Sequence, residues 1–353
     1  MPRFYPTLVH LAACLVCLLA FSGGCRPAGP QAGAAATRSS ETRRLMGVPW
    51  TITVYAGSLD GAREVIQAAF AEVARLEGIL SDYDPASEVS RLSAAAPTAT
   101  AVPASADLWP LLVRAVEIRD ATGGAFDPTV GPLTTLWRQS RRSELLPRAE
   151  KLSAALAAVG PEALVLDRER RAASLTRPGM RLDFGGIGMG YAVDRAMELL
   201  RARGIQSAMI DASGDIAVSN PPPGKAGWTI AVAALGAGDM AGGREQLVLA
   251  NAAVTTSGDL FQSVEIAGTR YSHIVDPRTG LGVAGPSAVT VIAPDCTTAD
   301  ALATAANVLG PGAGLPIFAR FPGCSGRFVW QEADARRESR SANWPAQPSQ
   351  TSD

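Results

Sequence analysis

Hydrophobic and polar residues alternate over 50–56, "WTITVYA", with Trp50, Ile52 and Val54 set against Thr51, Thr53 and Tyr55. That period of two predicts a strand with one buried face. The period then lengthens. In "GAREVIQAAFAEVARLEGIL", residues 61–80, Ile66, Phe70, Val73, Ile79 and Leu80 gather near one face of a helix. Residues 106–124, "ADLWPLLVRAVEIRDATGG", predict a second helix, with Pro110 in its first turn and glycines at its end. Two or three short strands are expected within 163–183. A glycine-rich loop then leads into a helix over 190–203 that Gly204 stops. From 207 to 293 the pattern is mainly of strands: "SAMID", "WTIAVAA", "QLVLANAAVTTSG", "FQSVEIAG", "TRYSHIVD" and "SAVTVIA", with "GTR" as a hairpin turn between two of them. A helix over 297–309 and a last strand, "GRFVW", complete it. Helices and antiparallel strands are segregated, not regularly alternating, so the predicted class is α+β and not a doubly wound sheet.

The two ends do not follow this pattern. Arg3, the apolar run "LAACLVCLLAF" (11–21) and "SGGC" ending at Cys25 predict an export signal over 1–25 with lipid attachment at Cys25. The run is too short to span a bilayer as a helix; plain secretion is the alternative. Composition predicts a flexible linker over 26–42 and a disordered tail over 331–353, which leaves 43–330 as the folded domain. Charge is balanced, with 32 Lys plus Arg against 33 Asp plus Glu, so no basic surface argues for nucleic acid. Only Cys296 and Cys324 of the cysteines fall within 43–330. They form no CxxC or zinc spacing and can either pair in an oxidising compartment or stay as buried thiols.

Five stretches carry candidate chemistry. The loop "RLDFGGIGMGYAVD" is neither a dinucleotide fingerprint, since Tyr191 stands at the third required glycine, nor a P-loop. Glycines ahead of a helix expose N–H groups where the helix dipole favours an anion; a tight turn packing a helix on a sheet is the other reading. In "SHIVDPRTG", His273 is the one histidine left once the signal is removed. A neutral imidazole there can take a proton near pH 7, and Arg278 beyond it can grip a phosphate or an aspartate. In "TTADALATAA", Asp300 and Thr304 stand at i, i+4 on one helix side and can offer oxygens to Mg²⁺. Thr297 or Thr298 can cap that helix, and a capped helix whose Thr304 bonds to its own turn is the plain alternative. In "TGGAFDPTVGPL", Phe126 and Asp127 offer a ring surface and an acceptor to a heterocycle, or a buried loop anchor. In "LSDYDPASEVSRL", Tyr83 between Asp82 and Asp84 can stack on a flat ligand or close the preceding helix. No Ser-His-Asp signature, G-x-S-x-G, H-E-x-x-H or C-x-x-C-H appears.

In order along the chain, "LMGVPWTITVY", "SDYDPASEVSRL", "GAFDPTVGPLTTLW", "LDFGGIGMGYAVD", "IDASGDI", "TTSGD", "YSHIVDPRTG" and "PDCTTADALATAANVLG" resemble the ApbE family, the FAD:protein FMN transferases. The resemblance implies an ApbE-like α+β fold with mixed or antiparallel sheets. It implies a protein that binds FAD with Mg²⁺ outside the cytoplasm, which with the signal ending at Cys25 means a periplasmic protein lipid-anchored to the membrane, and that cuts the diphosphate, joins FMN to a threonine of an acceptor and releases AMP. The implied acceptors are flavin-carrying subunits of membrane redox complexes. Met46, Tyr83, Ala125, Phe126, Asp127, Asp183, Met189 and Ile274 match positions that line FAD. Asp300, Thr304 and the Gly186 carbonyl match metal ligands, and His273 matches a histidine beside the reacting phosphate. Met189 stands where relatives usually carry a charged side chain, often Lys, with Gly188 in place of the usual Ala, and Val48 stands where Thr is usual. An FAD pyrophosphatase and a flavin-binding lipoprotein without turnover are the alternative activities.

Overall fold

Trp50, Ile52 and Val54 are fully buried on one face of a strand, as their alternation predicts. The computed structural model describes residues 36–232, 245–259, 262–332 and 335–345. The expected signal, Cys25 and the first part of the linker lie outside them. The elements in chain order are β1 (Thr37–Leu45), β2 (Val48–Ala56), α1 (Leu59–Leu80), α2 (Glu88–Ala94), β3 (Val102–Pro103), α3 (Leu108–Ala121), α4 (Gly131–Ser143) and α5 (Ala149–Ala157). Then come β4 (Leu164–Asp167), β5 (Ala172–Leu175), α6 (Gly188–Ala202), β6 (Ser207–Ala212), β7 (Asp215–Val218), β8 (Trp228–Ala231), β9 (Gln246–Leu249), β10 (Ala252–Gly258), β11 (Ser263–Ile266) and β12 (Thr269–Val275). The last are β13 (Gly282–Ala284), β14 (Ser287–Ala293), α7 (Cys296–Gly314), β15 (Ser325–Glu332) and β16 (Ala335–Arg340).

Eight strands form the main sheet in the order β1-β2-β6-β7-β10-β14-β15-β16, each pair antiparallel. Three small antiparallel sheets accompany it: β11-β12-β13, β3-β5-β4 and β8-β9. The one parallel link among the described residues is a bridge between Val130 and Arg181, so the sheets are antiparallel where mixed pairing was also open. The period of two sorts side chains between two cores. Ile52, Ile210, Val289 and Val291 face the main core, which also holds Phe70 and Leu76 of α1, Leu200 of α6 and Leu302 of α7. Val218, Val254 and Ile292 face the other way, onto Trp228 and Leu247 of the β8–β9 hairpin and Trp344. A third cluster ties Leu133 and Trp137 of α4 to Ile266 of β11 and Val275 of β12.

Both expected disordered ends are shorter than composition implies. Residues 37–42 of the predicted linker belong to β1, and 331, 332 and 335–340 of the predicted tail belong to β15 and β16. "TRSSETRRL" and "ARRESR" form the two edges of the main sheet. Backbone pairing holds them, so no apolar alternation marks them, and their charge discourages pairing with other chains. The stretch 246–258 is two strands, broken where Asn251 takes φ +50°. The predicted hairpin turn shifts by a residue: Ala267 and Gly268 make it, both at positive φ, while Thr269 and Arg270 belong to β12. Helices α2, α4 and α5 were not predicted.

Candidate active site

The glycine loop is seated on α7. A Cβ at Gly186 would lie 2.8 Å from Thr304 Oγ1, and one at Gly190 would lie 2.3 Å from the Cys296 carbonyl oxygen and 2.9 Å from Asp300 Cβ. Only glycine lets the two backbones approach this closely. The Gly190 N–H donates to Asp300 Oδ2 at 3.1 Å. Asp295, not Thr297 or Thr298, caps α7, accepting from the Thr298 N–H at 2.7 Å. Asp194 of α6 accepts from the Cys296 and Thr297 N–H groups and from the Thr297 hydroxyl, which locks α6 to the start of α7. Thr304 Oγ1 lies 3.4 Å from Ser257 Oγ of β10.

Asp300 is buried, and burial pushes its carboxyl well above the usual range, with Asp215 of β7 adding like charge. Burial also pushes Asp215 up to about 7; a hydrogen bond from Thr255 opposes the rise and the nearby Asp211 adds to it. Its Oδ1 is buried with no hydrogen-bond partner. Among the described residues neither carboxylate has a salt bridge to a basic side chain within 4.0 Å. Two buried carboxylates without a counter-ion, beside the Thr304 hydroxyl and the Gly186 backbone, are hard oxygen donors that fit a divalent cation such as Mg²⁺.

Asp183 opens the same loop. Its Oδ1 accepts from the Gly185 N–H at 2.7 Å; its Oδ2 accepts from Thr134 Oγ1 at 2.6 Å and pairs with Arg138 at 3.2 Å, both on α4. Arg138 also pairs with Asp82, and its guanidinium lies 4.3 Å from the centre of the Tyr83 ring. Burial, then the charge of Asp183, raise the Asp82 pKa, while Arg138 opposes them. Tyr83 is 75% exposed, so its outer ring face is open to a ligand. The Asp183 N–H donates to the Pro128 carbonyl at 2.9 Å, which brings in the loop of Ala125, Phe126 and Asp127. Ala125 and Phe126 are buried in the main core. Asp127 is buried too and closes its own turn on the Thr129 N–H and hydroxyl, with burial raising its pKa.

His273 lies on β12, which α4 meets through Trp137. The indole N–H donates to the Ser272 carbonyl at 2.9 Å, and its ring meets Tyr271 edge-on at 5.4 Å. A Cβ at Gly282 of β13 would lie 2.5 Å from the same indole. Burial, and after it the charge of Arg141, hold His273 below its ordinary pKa. The imidazole is therefore neutral near pH 7 and able to accept a proton. Arg278 is half exposed and forks onto Asp276 with two contacts of 2.8 Å, so it is paired with an aspartate. Ile274 is buried. Met46, at φ +49°, forms the β1–β2 turn with Gly47, and Met189 sits half-buried against the main core.

The structure thus gathers Asp183, Gly186, Asp300 and Thr304 along one loop, joins Tyr83 to Asp183 through Arg138, and joins the 125–127 loop at Pro128. Sequence reasoning missed Arg138 and Arg141, although Pro132 at a helix start and Leu133 and Trp137 at i, i+4 are signals for α4. It also missed Asp215, which no local spacing marks. Cys296 and Cys324 are both buried and free.

The family model described as "ApbE family" matches residues 46–328. The curated FAD:protein FMN transferase of Treponema pallidum is 30% identical over 343 residues, covering 91% of this chain and 91% of that protein. The FAD:protein FMN transferase of Haemophilus influenzae is 31% identical over 243 residues, covering 67% of this chain and 70% of that protein. The crystal structure of the Pseudomonas stutzeri flavinyl transferase ApbE in its apo form superposes with a TM-score of 0.77 at 30% identity, covering 87% of this chain and 96% of that one. The Thermotoga maritima ApbE protein gives the same TM-score and identity, over 87% of this chain and 97% of that one.

Proposed function

The chain belongs to the ApbE family, and we propose that it is a Mg²⁺-dependent FAD:protein FMN transferase that joins FMN to a threonine of an acceptor protein and releases AMP. The observation that carries this reading is the seating of the Gly186–Gly190 loop on Asp300 and Thr304, where the buried carboxylates of Asp300 and Asp215 have no salt bridge to a basic side chain among the described residues. Gly186, Asp300 and Thr304 would hold the cation, which when bound would offset negative charge on the diphosphate and the leaving AMP. Tyr83 presents an open ring face for the flavin, held from behind by Arg138. Asp183 fixes the loop through the Gly185 N–H. Met46, Met189, Ile274 and the 125–127 loop complete the proposed FAD contacts. In the transfer the threonine Oγ forms a bond to the FMN-side phosphorus. The bond from that phosphorus to the bridging oxygen breaks, and AMP leaves with that oxygen. The hydroxyl proton passes to the neutral His273.

The apolar run at 11–21 and the cysteine at 25 support export, with a lipid anchor at the membrane. A flavin-carrying subunit of a membrane redox complex is the partner such a location favours. The test is intact-mass spectrometry of residues 26–353 mixed with FAD, Mg²⁺ and an acceptor domain bearing its target threonine. A gain of one FMN, absent in Asp300→Ala and without Mg²⁺, is expected. FMN and AMP in solution without an adduct would replace the transferase by a pyrophosphatase. Bound FAD with no product would leave a flavin-binding protein.

A further inference from the structure

We propose that Arg141 is an anion-binding residue of this site, taking a phosphate oxygen of the dinucleotide beside His273. The proposal rests on the transferase reading above. Arg138 and Arg141 stand three residues apart on α4, one turn from each other. Arg138 is occupied by Asp82, Asp183 and the Tyr83 ring. Arg141 has no acidic partner among the described residues. Its Nη1 makes one long contact, 3.5 Å, to Gln262 Oε1, and its Nε is buried and unpaired. A half-buried guanidinium without counter-charge is costly to hold, yet the Trp137 bond to the Ser272 carbonyl docks its helix on the strand that carries His273.

Gln262 links the two groups. Its carbonyl accepts from the His273 backbone N–H at 2.9 Å while its side chain faces Arg141. His273 Nδ1 is also buried and unpaired. The charged groups that act on His273 are Arg141 and Asp259. Asp259 is already matched by Arg270 and by the Ser287 N–H, so Arg141 is the uncompensated charge there. Tyr83 and Arg138 also act on Arg141 electrostatically, so Arg141 neighbours both the proposed flavin face and the histidine. A guanidinium binds phosphate oxygens through paired N–H groups, and its positive charge disfavours a second cation on the imidazole.

The test compares Arg141→Met, Arg141→Gln and Arg141→Lys with the wild type and with Arg142→Met, an exposed neighbour. Flavin-fluorescence titrations would use FAD and riboflavin, which lacks phosphate. Loss of one charge-assisted contact is expected to weaken FAD binding about tenfold or more in Arg141→Met and Arg141→Gln. Riboflavin binding should stay within about twofold, Arg141→Lys should recover part of the loss, and Arg142→Met should match wild type. The acid limb of the transfer rate should move to higher pH in Arg141→Met, because the imidazole then protonates more readily. Unchanged FAD affinity with an unmoved acid limb would overturn the proposal and leave the transferase standing, as would equal weakening of FAD and riboflavin. A wild type that binds no FAD would remove the transferase reading and this inference together. Should Arg141→Met fail to fold, the Gln and Lys variants decide.

Discussion

Gly186 and Thr304 touch: a single added Cβ at position 186 would lie 2.8 Å from the threonine Oγ1 and 3.1 Å from its methyl. The loop and α7 therefore form one oxygen-rich surface only while residue 186 has no side chain. Gly186→Ala is expected to push the Thr304 hydroxyl aside and to cost about 1–3 kcal/mol through overpacking. Mg²⁺ should raise the melting temperature of the wild type by binding the folded state, and that rise should be lost in Gly186→Ala. Thr304→Ser, which keeps a hydroxyl and creates no clash, should retain it. Thermal unfolding with and without Mg²⁺ checks both; an unaltered Mg²⁺ response in Gly186→Ala would separate this contact from cation binding.

Arg138 holds two carboxylates and a ring at once. Arg138→Met leaves Asp82 and the buried Asp183 facing each other without their common cation. Because the guanidinium is 29% exposed, the loss should be about 1–2 kcal/mol, below that of a fully buried pair. Urea denaturation of Arg138→Met, Asp82→Asn and the double variant measures it, and the pair should couple non-additively. Flavin affinity should fall as well, because Tyr83 loses the cation that backs its ring. Additive effects would show that Asp82 and Arg138 do not share the interaction.

The sequence is legible where one face of an element is buried. β2 and α1 each carry a periodic apolar face, β14 is an apolar run buried throughout, and all three match the expectation within a few residues. The edge strands β1 and β16 carry polar or charged residues at nearly every position, so nothing in their pattern distinguishes them from a disordered end. Helix α4 buries only two large side chains, Leu133 and Trp137, among threonine, serine and arginine, a stripe too thin to stand out. The same division holds in the site. Asp300 and Thr304 are neighbours by helix spacing alone, and the glycines announce a close approach. The Asp183–Arg138 pair spans 45 residues and the Asp300–Gly190 bond spans 110, so only the folded chain shows them.

Asp215 carries a buried oxygen with no partner beside an equally buried Asp300. Replacing it by Asn removes one of two like charges while keeping the shape. Without Mg²⁺ at neutral pH, Asp215→Asn should melt at or above the wild-type temperature, since a buried carboxylate without counter-charge, one oxygen of which has no partner, is a cost. With Mg²⁺ the order should reverse, because the variant offers the cation one negative charge fewer. Calorimetric titration with Mg²⁺ alone gives an independent reading of the same loss. A variant that melts lower than the wild type by the same amount in both conditions would mean that the Thr255 hydrogen bond outweighs the cost of the buried charge and that Asp215 has no bearing on the cation.

His273 gives the pH dependence its sign. Burial and Arg141 set its folded pKa below the ordinary 6.5, so the folded chain resists a proton that the unfolded chain accepts. The stability this contributes is present above about 6.5 and is lost as pH falls through the depressed folded value. Activity follows the same group, because only the neutral imidazole can take the threonine proton. The transfer rate should therefore hold below pH 6.5 before its acid limb begins, lower than an ordinary histidine allows. His273→Gln should lose most of the transfer rate, by about 10²–10⁴-fold for a lost general base, while still binding FAD. Its stability should also vary less with pH between about 5 and 7 than that of the wild type. Full transfer activity in His273→Gln would assign the proton to another acceptor, and an acid limb above 6.5 in the wild type would contradict the neutral, buried imidazole.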